Sequence, residues 1–343
     1  MRWVIASFFF SSYNRDMIDA SVLREYQHCM LCPNKCGVDR TKGQRGRCGE
    51  TDEVRVAWSG LHRGEEPPVT GEKGSGMIFF CGCPLHCAYC QNHQISSYGE
   101  NVGIFVSIEE LASLMLALES FGATNINLVT PTHFYPSIAL AISMARRNGL
   151  TLPIVNNSSG FESVTGLQLI DPFIDLYLID VKTLDRDVAG KFCGLPLYAD
   201  VIVPVMEYLV KKHPRVHRDK RGLRGLLVRH LLFPGTTDAT LSFLSWYKEH
   251  LDTHAWLSLM VQFVPPEKNP GFEDVSQETY DRLIDKLEEL DIDDGFVQDL
   301  ADNIPWIPDF TRDVPFPASF ADPLPLFLKM KASRSSSRQT VRA

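Results

Sequence analysis

From Gly76 onward the sequence alternates short apolar segments with amphipathic ones, and this rhythm limits the fold more than any other feature. Strands are expected at 77–80, 125–129, 152–156, 173–181, 225–233 and 256–264. Helices are expected at 108–121, 136–148 and 161–169, after Pro204, and at 238–250 and 277–290. In 108–121, Ile108, Leu111, Ala112, Met115 and Leu118 recur at helical spacing, with Glu109 and Glu110 in the first turn. In 173–181 apolar side chains fall on both faces, Ile174, Leu176 and Leu178 against Tyr177, Ile179 and Val181, as a parallel strand covered by helices demands. Six strand–helix units in series imply an α/β fold with a parallel sheet and right-handed crossovers, either a partial barrel or an open doubly wound sheet. In both, functional groups gather at the C-terminal ends of the strands.

The 343 residues are 44% hydrophobic and 22% charged, enough to bury a real core. A formal charge of -8 argues against a general nucleic-acid binder. Eight of the nine cysteines fall in two tight groups, Cys29, Cys32, Cys36, Cys48 and Cys81, Cys83, Cys87, Cys90, while Cys193 stands alone and reads as a buried apolar residue. A chain with long apolar segments does not need disulfide staples, so the groups read as metal ligands in a reducing compartment, the cytoplasm. The apolar stretch 3–10 follows Arg2 as a signal segment would, but no small-residue cleavage site follows it. No run approaches the ~20 apolar residues of a membrane span. The stretch 211–224 carries seven Lys or Arg and reads as a solvated loop.

The loop Phe80-Cys81-Gly82-Cys83-Pro84-Leu85-His86-Cys87-Ala88-Tyr89-Cys90-Gln91-Asn92 follows the first strand of the rhythm. Its C-x3-C-x2-C spacing can wrap three thiolates around an iron–sulfur cubane, one fewer than the usual four, and leave one iron open to bind a substrate. Zinc, which favours close ligand pairs making four, fits the triplet poorly. The earlier set, C-x2-C-x3-C-x11-C, offers four thiolates at Cys29, Cys32, Cys36 and Cys48, enough for a closed zinc site or an auxiliary cluster. Asp180 and Lys182 share a strand face with Leu176 and Leu178, which places both at the mouth of the sheet if that face is inward.

The cysteine loop resembles the signature of the radical S-adenosylmethionine (SAM) superfamily, in the form F-x-G-C-x3-C-x-Y-C-x-N of glycyl-radical-activating enzymes such as pyruvate formate-lyase activase. The N-terminal block ending in Gly46-Arg47-Cys48-Gly49, Asn127 to His133, Asn157-Ser158-Ser159-Gly160, Arg229-His230-Leu231, Gly295-Phe296-Val297-Gln298 and Pro308-Asp309-Phe310 are similar to an uncharacterised activase-like branch. The resemblance covers roughly residues 25–312. It implies a partial (β/α)6 barrel over 61–265, with a Cys-rich extension over 1–60 and a C-terminal extension over 266–320; separately, the Ser- and Arg-rich composition from Lys331 onward makes 321–343 a disordered tail. It implies a [4Fe-4S] cluster on Cys83, Cys87 and Cys90, and SAM bound beside Tyr89. Lys182 would meet the SAM carboxylate with Asp180 close by, and Asn157 would meet the ribose in place of the family's Asp. Thr130 and Thr132 stand where many relatives carry G-G-E for the SAM amino group, and Arg229 is a further cofactor candidate. The implied activity is reductive SAM cleavage and hydrogen abstraction, fed by a low-potential donor of flavodoxin or ferredoxin type. A glycyl radical enzyme is the implied partner; another peptide or small molecule, or a non-catalytic electron-transfer role, are the alternatives.

Overall fold

The computed structural model describes residues 18–97, 102–264, 275–300 and 307–340. The stretch 3–10 lies outside them. Continuous apolar runs form the centre of one sheet. Its strands are β1 (Val54–His62), β2 (Ser75–Phe80), β3 (Ile104–Val106), β4 (Ile126–Val129), β5 (Ile154–Ser158), β6 (Leu176–Asp180), β7 (His217–Asp219), β8 (Gly222–Leu231), β9 (Trp256–Met260), β10 (Gly295–Val297) and β11 (Ala321–Pro323). The order is β10-β9-β8-β6-β5-β4-β2-β1-β11, with β3 on β1 and β7 on β8. From β2 to β10 every neighbouring pair is parallel, whereas β1 runs antiparallel to both β2 and β11.

The helices Ile108–Phe121, Tyr135–Arg147, Val164–Ile170 and Tyr198–Lys212 pack one on the next, as do Thr237–His250 and Gln277–Glu289. The first opens with a capping box, the Ser107 hydroxyl on the Glu110 N–H and the Glu110 carboxylate on the Ser107 N–H. Consecutive helices that touch in series lie on one face of the sheet, the arrangement of a partial barrel rather than a doubly wound sheet. Tyr177, Ile179 and Val181 face those helices in the main core. Leu176 and Leu178 turn the other way, onto Val155, Leu223, Leu227 and Val69 inside the barrel. Val69 comes from the segment after β1, and the Asn125 side-chain amide donates to its carbonyl at 2.7 Å. That segment plugs the N-terminal end of the barrel and leaves the C-terminal end for the cysteine loop.

Three expectations need correction. The tail expected to be disordered forms β11 and a helix over Pro325–Thr340, because Leu324 and Phe327 are buried in the core. The sheet also ignores the expected boundaries at 60 and 265, since β1 starts at Val54 and β10 extends the parallel edge. The basic stretch 211–224 is no open loop: it makes the β7–β8 hairpin, with Arg224 paired to Asp175 and Asp219. Among the described residues no single helix is long and apolar enough to cross a membrane.

Candidate active site

The loop that leaves β2 turns sharply at Gly82, whose φ of +82° suits glycine. Cys81 just before it is buried, its thiol 3.5 Å from the Val102 carbonyl, and burial pushes that thiol up to about 12. Cys83, Cys87 and Cys90 are less covered and lie within electrostatic reach of one another. Burial first, then the neighbouring Cys87 and Cys90, pushes the Cys83 thiol up to about 12. Burial and then Cys87 raise Cys90 likewise. Three crowded thiols resist ionising together until a positively charged centre joins them. Among the described residues no three Cys, His, Asp or Glu side chains converge tightly enough to grip a single metal ion. A cubane needs no such point, since each thiolate holds its own iron corner.

β6 delivers Asp180 to the inner face, and Lys182 follows just past the strand end. The Lys182 ammonium donates to Asp180 Oδ2 at 2.6 Å and stands 5.8 Å from the centre of the Tyr89 ring. Burial alone would lower the Lys182 pKa, but the Asp180 carboxylate beside it outweighs that and raises it. Asp180 Oδ1 is buried without a partner, so one carboxylate oxygen remains to receive a donor. Tyr89 sits among Phe192, Phe233 and Phe263 at centroid distances of 6.4, 4.7 and 5.7 Å, an aromatic wall suited to a flat ring. On β5, Asn157 shares its register with inward-facing Leu178 and is buried. Thr130, at the end of β4, has a φ of +57° and donates its N–H to the Asn157 carbonyl at 2.9 Å. A β-branched residue in that region is strained, and the position is the first of the three where many relatives carry G-G-E.

Two expected cofactor contacts have protein partners instead, although Arg229 stands in register with Asp180. The Thr132 hydroxyl donates to Glu162 at 3.3 Å, in a buried cluster with Tyr135 and Asn156 beneath the helices. Arg229 faces inward but is committed to the barrel plug: Nε donates to Glu66 Oε1 at 2.7 Å, and Nη2 to Glu66 and Glu65 at 2.6 and 2.8 Å. Glu65 is held down to about 2, because the Arg229 charge and the His62 contact overcome its burial.

One neighbour escaped the sequence reading. Cys193 is fully buried, but its thiol meets that of Cys87 and lies in electrostatic reach of Cys83 and Lys182. The Ala88 N–H donates to the Phe192 carbonyl at 2.9 Å, which lays this segment along the cysteine loop. The hydrogen bond with Cys193, and then burial, hold the Cys87 thiol well above its ordinary value. The segment is a π-helix over Ala189–Cys193, a form that often marks functional sites and that periodicity does not reveal.

Residues 77–247 match the family model described as the radical SAM superfamily. An uncharacterized protein of Methanocaldococcus jannaschii is 28% identical over 272 residues, covering 77% of this chain and 74% of that one. Among solved structures, SuiB of Streptococcus suis is similar at a TM-score of 0.45 and 9% identity over 64% of this chain. This chain spans only 47% of SuiB. Native anSMEcpe with bound AdoMet has a TM-score of 0.48 at 14% identity, covering 63% of this chain and 61% of that one. A domain of pyruvate-formate lyase-activating enzyme from Bacteroides vulgatus has a TM-score of 0.33 at 14% identity, covering 46% and 87%. The match takes in the Cys83, Cys87 and Cys90 loop and supports the radical SAM superfamily for residues 77–247.

Proposed function

We propose that this chain holds a [4Fe-4S] cluster on Cys83, Cys87 and Cys90 and binds SAM at the C-terminal mouth of the barrel. The observation that carries the reading is the meeting of those three thiols with the Lys182–Asp180 pair and the Tyr89 wall at one sheet end. When bound, the cluster and SAM supply reductive cleavage of a C–S bond to a 5′-deoxyadenosyl radical that takes hydrogen from a second molecule. Lys182 offers a cation for the SAM carboxylate. The free Asp180 oxygen, the Asn157 amide and the Thr130 hydroxyl offer groups for its polar parts, and the aromatic wall keeps water from the adenine. Electrons would come from a flavodoxin- or ferredoxin-type donor in the cytoplasm.

The F-x-G-C-x3-C-x-Y-C-x-N form of the loop favours a glycyl radical enzyme as the hydrogen donor. The test is anaerobic reconstitution with iron and sulfide, followed by reduction with SAM present. Expected are a SAM-dependent change in the cluster's EPR signal and release of 5′-deoxyadenosine. Cys87→Ala should lose both, and Cys81→Ala should keep the cluster. A SAM response that survives in Cys87→Ala refutes the ligand assignment.

A further inference from the structure

The N-terminal cysteine block is built directly onto the cluster loop. Asn34, between Cys32 and Cys36, donates its side-chain amide to the Pro84 carbonyl at 2.9 Å. Arg47, next to Cys48, donates Nε to the same carbonyl at 3.2 Å and Nη2 to the Leu85 carbonyl at 3.1 Å. The His86 ring closes the circuit on the Arg47 carbonyl at 2.7 Å. Pro84, Leu85 and His86 are the three residues between Cys83 and Cys87. The fit on the other side is as close: a Cβ at Gly82 would fall 2.6 Å from the Cys48 carbonyl and 2.5 Å from Glu50 Cγ.

The same block sets hydrogen-bond donors and a cation around its thiols. Cys32 lies within electrostatic reach of Cys29, Cys36 and Cys48. The Arg47 backbone N–H points at Cys36 Sγ from 3.3 Å and the Asn34 amide at Cys32 Sγ from 3.6 Å. Arg40 is fully buried, with its guanidinium 3.9 Å from Cys29 Sγ and 4.5 Å from the centre of the Tyr26 ring. Its remaining hydrogen bonds go to the carbonyls of Thr51 and His133, the centre of the Phe134 ring lies 5.4 Å away, and among the described residues no carboxylate pairs with it. A buried cation without a carboxylate is costly unless an anionic centre lies beside it. Four thiolates around a zinc ion, or around a cubane, carry the net negative charge that Arg40 lacks elsewhere.

We infer that Cys29, Cys32, Cys36 and Cys48 bind a thiophilic metal centre, a single zinc ion or an iron–sulfur cubane, and that this centre braces the Cys83–Cys87 loop through Asn34 and Arg47. Zinc would draw the four thiols closer together than they now stand; a cubane would hold them apart at its corners. The brace makes Asn34 and Arg47 positioning residues: they touch neither iron nor substrate and act through the loop carbonyls.

The metal is tested first, in the full chain with Cys83, Cys87 and Cys90 all changed to Ala, so that failure of the radical SAM reading cannot mask the result. Elemental analysis of this protein should find about one zinc or about four irons per chain, and the choice between them names the centre. Adding Cys36→Ser, at the exposed rim of the block, should remove that metal. Protein that folds with neither metal overturns the site.

The brace is tested with the triad intact, by Asn34→Ala together with Arg47→Ala. The N-terminal metal should remain, while a chelator should strip iron from the triad roughly five- to tenfold faster, as expected for losing hydrogen bonds of ordinary strength. Unchanged iron release in that variant overturns the brace and leaves the metal site standing.

Discussion

At the scale of single residues, the most testable side chain is Lys182. Its ammonium is nearly enclosed, held by Asp180 at 2.6 Å, and set beside both Tyr89 and the Cys87 thiol. A hydrogen bond to a charged group contributes about 1.5–3 kcal/mol. Lys182→Ala should therefore weaken SAM binding by roughly tenfold or more, with iron content unchanged. Equilibrium binding to the reconstituted protein reads this directly, and unaltered affinity removes Lys182 from the site. Lys182 and Asp180 were legible because strand alternation fixes which side chains share a face. Thr132 was not: Pro131 and a 3-10 turn over Thr132–Phe134 break that alternation and carry its hydroxyl to Glu162. Cys193 was missed for a similar reason, since no pattern in one sequence tells that a π-helical turn will face another loop's thiol.

Among the elements, the parallel strands could be read because burial on both faces makes each a continuous apolar run. β3, β7, β10 and β11 are three residues each and lie at edges or in a hairpin, too short to show a period. Polar groups beneath the helices were also hidden. His133 follows β4 and bonds the Cys81 carbonyl; His230 lies on β8 and bonds the Val181 carbonyl and the Thr240 hydroxyl. Burial, then the Arg40 charge, lowers His133 to about 3, and burial lowers His230 to about 4. Both are neutral when folded, whereas the unfolded chain takes up protons near pH 6.5. The stability they confer is thus complete above that pH and lost as pH falls toward 4 and 3. Each contributes a slope on the order of 1.4 kcal/mol per pH unit. Urea midpoints of cluster-free protein should fall steadily from pH 6.5 to 5, before most carboxylates titrate. His230→Gln should shed about half of that slope, and an unchanged slope would show that His230 is protonated in the fold.

Over the whole molecule, the decisive contact joins ends of the sheet that sequence order keeps apart. Glu65 and Glu66 follow β1, Arg229 lies on β8, and β2, β4, β5 and β6 separate those strands in the sheet. Their ion pair can form only if the sheet curls until β8 approaches the plug, so it reports barrel curvature directly. The motif Arg229-His230-Leu231 was visible in the sequence, but its partner was not, because nothing in a linear pattern tells which carboxylate crosses a barrel. Two buried carboxylates left without their cation are strongly destabilising, at about 3–5 kcal/mol for a broken buried pair. Arg229→Ala should lower global stability by that order, and adding Glu65→Gln and Glu66→Gln should restore much of it by removing the stranded charges. Denaturant unfolding measures the loss and the rescue; SAM affinity of the folded fraction measures whether the cofactor notices. The ion-pair geometry requires a large change in the first and little in the second. A tenfold loss of SAM affinity at unchanged stability would make Arg229 a cofactor contact after all, and the plug contact would no longer be what holds the curl.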